Sequence, residues 1–202
     1  MDYSFLEDNK IVPVVVIDRI EDTEEVLSAL IEGGINVAEI TFRTACASSA
    51  IALARQKFPN MVVGAGTVIN AMQCEQAIAS GASFIVSPGF SKEVLDVCLA
   101  ENIPYLPGVV TPTEVMHALS LGLNVLKFFP AGVFGGIKAL KALSAAFPSV
   151  RFMPTGGVDL TNLTEFLALP CVMSVGGSFM FKGNREDIIM KCQEAKQIVE
   201  GI

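Results

Sequence analysis

Two charged residues interrupt apolar stretches of this chain, and both are types that carry covalent or proton-transfer chemistry. Lys127 stands in NVLKFFPAG, where an extended strand puts Val125, Lys127 and Phe129 on one face and Leu126 and Phe128 on the other. Apolar surroundings disfavour an ammonium, and a neutral amine is the nucleophile that Schiff-base formation requires. Glu39 stands in VAEITFR, where the same alternation groups Glu39, Thr41 and Arg43 against Ile40 and Phe42. If the apolar face meets covering helices, Glu39 turns inward, and a carboxylate there is costly unless paired or used. A lysine snorkelling from its strand end, or a Lys127–Glu39 ion pair kept for structure, explains either strand taken singly. Both projecting into one interior favours catalysis.

An anionic substrate finds its partners in glycine-rich segments, GAGT at 64–67, PTGG at 154–157 and VGGS at 175–178. Gly156, Gly157, Gly176 and Gly177 let backbone N–H groups approach a phosphate closely, and in barrels such sites often follow the seventh and eighth strands. Ser178 adds a hydroxyl, as donor or as helix cap. Arg43 and Thr67 are placed to hold a carboxylate at the opposite side, although a surface ion pair also accounts for Arg43. His117, the single histidine, reads as an ordinary helical residue, and the Phe128–Phe129 pair as core filling. With one histidine and no clustered cysteines, neither a metal site nor a cofactor is expected.

Short β-branched runs alternate with helical periodicity along the chain and must position these residues. Strands are expected over 11–17, 37–42, 61–67, 84–88, 105–110, 125–130, 151–155 and 172–175. Helices are expected over 23–32, 47–57, 71–80, 92–101, 113–121, 137–146, 163–169 and 185–199, after a short leading helix over 2–9. Asp22, Asn70, Ser91 and Thr161 are the expected N-caps, and Gly33, Gly81 and Gly122 the stops. Strands apolar on both faces imply a parallel sheet covered by helices. An open doubly wound sheet is the alternative, but no G-x-G-x-x-G follows the first strand. The expected fold is therefore α/β, a single (β/α)8 TIM barrel with a short N-terminal helix, one domain spanning 1–202.

Composition narrows the functional classes. The 202 residues are 51% hydrophobic and 17% charged, too apolar for disorder. Fourteen basic against twenty-one acidic residues give a net charge of −7 without a basic stripe, which disfavours nucleic-acid binding. Uncharged stretches are broken by Pro, Gly or Asn, against a membrane span, and the acidic start MDYSFLEDNK argues against secretion. Five scattered cysteines read as reduced thiols of a cytoplasmic protein.

From about residue 11 to 181 the chain resembles the KDPG/KHG aldolase family, the class I aldolases of 2-dehydro-3-deoxy-6-phosphogluconate and 4-hydroxy-2-oxoglutarate. EITFRT (39–44), VGAGTV (63–68), SPG (87–89), PGVVTPTE (107–114), LKFFPA (126–131), PTGGV (154–158) and GGS (176–178) carry the resemblance in order. It implies a homotrimer of barrels acting on a 2-oxo acid and a phosphorylated aldehyde. Lys127 would be the Schiff-base lysine and Glu39 the general acid/base. Arg43 and Thr67 would bind the pyruvate carboxylate, and Thr155 would influence the stereochemistry of the new carbon centre. Gly156, Gly157, Gly176, Gly177 and Ser178 would surround the phosphate. Phe179 stands where many relatives carry tryptophan, and the tail FKGNREDII replaces a longer insertion of some members. Two other classes use a barrel with a phosphate cradle: a phosphosugar isomerase or epimerase, in which Lys127 only polarises a carbonyl, and a non-catalytic sugar-phosphate sensor.

Overall fold

Nearly every apolar run becomes a strand and every amphipathic segment a helix in the computed structural model of the chain, which describes residues 1–181 and 183–201. After α1 (Ser4–Asn9) come β1 (Ile11–Val15), α2 (Asp22–Glu32), β2 (Val37–Thr41), α3 (Ala47–Lys57) and β3 (Val62–Gly66). The chain continues through α4 (Ala71–Ala79), β4 (Ile85–Val86), α5 (Lys92–Ala100), β5 (Tyr105–Leu106), β6 (Gly108–Val109) and α6 (Pro112–Ser120). It ends with β7 (Val125–Phe128), α7 (Gly136–Ala146), β8 (Arg151–Pro154), α8 (Leu163–Leu167), β9 (Val175–Gly177) and α9 (Arg185–Glu200).

The strands run β5-β4-β3-β2-β1-β9 and β6-β7-β8, every pairing parallel. β5 and β6 are halves of one expected strand, divided by Pro107, which has no N–H for the ladder. Single bridges, Phe152 to Val172 and Thr155 to Gly176, join β8 to β9. Among the described residues nine strands thus form eight staves of a closed (β/α)8 barrel, and closure removes the open-sheet alternative. All five residues of both β1 and β2 are buried, as strands packed on both faces must be.

The leading helix seals the end of the barrel where the strands begin. Leu6 is fully buried, the Phe5 ring stacks on Phe84 at 4.5 Å, and the Tyr3 hydroxyl donates to the Tyr105 carbonyl at 3.0 Å. Burial pushes the Tyr3 and Tyr105 phenols up to about 12, so both stay neutral at ordinary pH. Chemistry is left to the opposite end, where the strands finish.

The differences from expectation are local. Strands over 11–17, 37–42 and 61–67 end one or two residues early, at Val15, Thr41 and Gly66. The last strand is Val175–Gly177 rather than 172–175, so Gly176 and Gly177 lie within it instead of after it. Asn70 and Ser91 cap α4 and α5 by accepting from the N–H groups of Gln73 and Val94. Asp22 does not cap α2: it is the first residue of the helix, and the Arg19 guanidinium engages both its carboxylate oxygens. Thr161 does not cap α8: its hydroxyl donates to Asp159, whose backbone N–H is held by Asn162. Two capping boxes went unforeseen, Thr111 with Glu114 on α6 and Asn184 with Asp187 on α9. The cysteines are free thiols, with the Cys74 and Cys98 sulfurs 3.6 Å apart in the core. No helix among the described residues is long and apolar enough to cross a membrane.

Candidate active site

β2 and β7 occupy the second and sixth staves, opposite one another across the barrel, so inward side chains from each converge on its axis. Glu39 lies mid-strand, aligned with Val14 of β1 and Gly64 of β3. Lys127 is aligned with Gly108 of β6 and Met153 of β8. The Lys127 Nζ donates to Glu39 Oε1 at 3.4 Å, with Lys127 4% exposed and Glu39 fully buried. The inward reading of both side chains is therefore correct.

Two further residues, Gly66 and Phe129, shape this pair. Gly66 is aligned with Thr41 across the β2–β3 ladder, and a β-carbon there would collide with Glu39 Oε1. Only glycine leaves room for the carboxylate. Phe129 is not mere filling: its ring centroid is 5.1 Å from Lys127 Nζ, and it lines the cavity above. Alternation along β7 already placed it on the lysine's face. Two buried oxygens of β2, Glu39 Oε2 and Thr41 Oγ1, have no hydrogen-bond partner among the described residues.

A cavity of about 260 Å³ opens at this end, lined by Val14, Arg43, Phe129, Thr155, Gly156, Gly157, Val158, Gly177 and Ser178. Arg43 is exposed at its rim, and its Nε donates to Thr67 Oγ1 at 3.1 Å, which ties the two residues read as a carboxylate site. Gly156 and Gly157 have φ of +87° and +80°, a left-handed turn that turns the chain after β8. Gly176 stands behind rather than on the cavity: a β-carbon there would come within 2.3 Å of Thr155 Oγ1. Phe179 covers Gly177 at similarly close range. His117 lies on the exposed face of α6, its ring edge against Phe90, and does not line the cavity.

Residues 3–198 match the family described as KDPG and KHG aldolase. The chain belongs to that family. It is 42% identical to the 2-dehydro-3-deoxy-phosphogluconate aldolase of Treponema pallidum, over 98% of this chain and 97% of that one. It is 41% identical to the KHG/KDPG aldolase of Escherichia coli K12, over 88% and 83%. Among solved structures, the 2-keto-3-deoxy-6-phosphogluconate aldolase of Zymomonas mobilis ZM4 superposes with a TM-score of 0.90 at 40% identity, covering 95% of this chain and 93% of that one. The KDPG aldolase of Legionella pneumophila, crystallised with pyruvate captured as a covalent carbinolamine, gives 0.88 at 39% identity, covering 98% and 96%. The aldolase family therefore accounts for the whole barrel, not for a motif within it.

Proposed function

We propose that this chain is a class I aldolase that reversibly cleaves 2-dehydro-3-deoxy-6-phosphogluconate to pyruvate and glyceraldehyde 3-phosphate. The same site handles 4-hydroxy-2-oxoglutarate, giving pyruvate and glyoxylate. The observation that carries this reading is the buried Lys127–Glu39 contact beneath a cavity rimmed by Arg43 and glycine turns. A buried lysine hydrogen-bonded to a carboxylate can pass its proton to that partner and present a lone pair.

The reaction follows from that placement. The Lys127 amine attacks C2 of the 2-oxo acid, and Glu39 moves protons as the carbinolamine loses water to form an iminium. Glu39 then takes the C4 hydroxyl proton. The C3–C4 bond breaks, its electron pair passing into the iminium to give an enamine as the aldehyde departs. Protonation at C3 and hydrolysis release pyruvate and restore the amine. Arg43 and Thr67 hold the carboxylate, and Thr155 faces the carbon whose configuration is set. Gly156, Gly157, Gly177 and Ser178 receive the phosphate, with Gly176 keeping space for Thr155.

The physiological setting belongs to the same proposal: a cytoplasmic enzyme of sugar-acid breakdown by the Entner–Doudoroff route, working as a homotrimer. Exposed apolar side chains support an assembly, namely Ile69 and Met72 after β3, Met116 on α6, and Val133 and Phe134 after β7.

The two ends of the cavity can be tested separately. Ser178→Ala removes a donor from the phosphate end, and a hydrogen bond to a charged group is worth about 1.5–3 kcal/mol, roughly 10- to 150-fold in kcat/KM. That loss is expected for 2-dehydro-3-deoxy-6-phosphogluconate, with 4-hydroxy-2-oxoglutarate cleavage nearly unchanged. Arg43→Ala should impair both substrates, because both present the same 2-oxo carboxylate. Equal losses on both substrates for Ser178→Ala, together with an Arg43→Ala that spares either one, would overturn the assignment.

A further inference from the structure

Thr41 is the one inward polar residue of β2 to which the reaction above gives no part. It sits two residues beyond Glu39 on the same face, between Glu39 and Arg43, and is fully buried. Its Oγ1 has no hydrogen-bond partner, and neither has the Glu39 oxygen that Lys127 does not engage. An orphaned hydroxyl in a barrel interior destabilises the fold, and valine would fill the same volume without that cost. Two orphans two residues apart on one inward face, the first beside a lysine amine, leave room for one small polar molecule to satisfy both.

We propose that Thr41 is a positioning residue that, with Glu39 Oε2, holds the water consumed and released at C2; this rests on Lys127 forming the iminium. In hydrolysis the water donates one proton to Glu39 Oε2 and the other to Thr41 Oγ1, leaving a lone pair directed at C2. The O–C2 bond forms, the C2–N π pair returns to the Lys127 nitrogen, and one water proton ends on Glu39. Collapse of the carbinolamine then makes the C2 carbonyl, breaks the C2–N bond, and delivers a proton to the amine. Dehydration runs the same steps backwards, with the Thr41 hydroxyl supporting the departing oxygen.

A residue that orients water changes the rate of iminium formation and not its equilibrium. The test is a rapid-mix experiment in which pyruvate is added and borohydride quenches at intervals, the reduced pyruvyl adduct being counted by intact mass. For Thr41→Val the adduct should accrue about tenfold more slowly, since a placed acid/base group contributes about 10² to 10⁴ and its positioning partner a part of that. The final yield should match the parent protein, and the melting temperature should be equal or higher. Thr41→Ser, which restores a hydroxyl, should recover most of the rate. A Thr41→Val protein that labels at the parent rate overturns the proposal, as does an equal slowing in Thr41→Ser, which would assign the effect to packing. Should Thr41→Val fail to fold, Thr41→Ala takes its place with the same expected slowing. Absence of adduct in the parent protein itself would instead overturn the aldolase reading on which the proposal rests.

Discussion

Lys127→Met should reduce cleavage of 2-dehydro-3-deoxy-6-phosphogluconate by at least about 10⁴-fold, because the nucleophile that forms the covalent intermediate is removed outright. Methionine keeps the length and the apolar stem, with Phe129 and Met153 still packed around the position, although leaving Glu39 without its buried partner should lower the melting temperature. The loss should appear in kcat, with substrate still bound through Arg43 and the glycine turns. Pyruvate release measures the activity, and a thermal melt verifies the fold. Retention of more than about a hundredth of the parent rate would mean that another group forms the intermediate, or that none is formed.

Glu39→Gln should lower kcat by about 10² to 10⁴, the range of a placed general acid/base. The amide keeps the shape that Gly66 leaves open, and its oxygen still accepts from Lys127, but it cannot carry a proton between steps. Iminium formation and C3–C4 cleavage should both slow, since both use the same carboxylate. Breaking a buried ion pair by removing one partner commonly costs about 3–5 kcal/mol, so a lower melting temperature is also expected. Unchanged turnover of 4-hydroxy-2-oxoglutarate by Glu39→Gln would show that the pair is structural only.

The inward placement of the two charged side chains was legible because charge is rare inside a barrel. Lys127 and Glu39 each interrupt an apolar strand, and period-two alternation alone directs both inward, as the 3.4 Å contact confirms. Helices were equally legible where an amphipathic stripe has clear limits: 47–57 is α3 to the residue. Strand ends were harder. Ile17, Phe42 and Thr67 have strand-like side chains, yet the regular strands end at Val15, Thr41 and Gly66, before each of them.

The eighth stave was misplaced for a related reason. Glycine argues against a strand, but Gly176 and Gly177 belong to β9 because Thr155 and Phe179 occupy the space that their side chains would need. Gly66 is the same case beside Glu39. Such requirements are imposed by residues far along the chain, and no local pattern carries them. Caps show the converse, a competing partner close by: Asp22 has the right type, but α2 begins at Asp22 itself and Arg19 holds its carboxylate.

The account stands on Lys127 as the covalent nucleophile, and trapping tests that most directly. Incubation with pyruvate and borohydride should add one reduced pyruvyl group per chain, and peptide mapping should locate it on Lys127. No adduct, or an adduct on the exposed Lys138 or on Lys141 of α7, would contradict it.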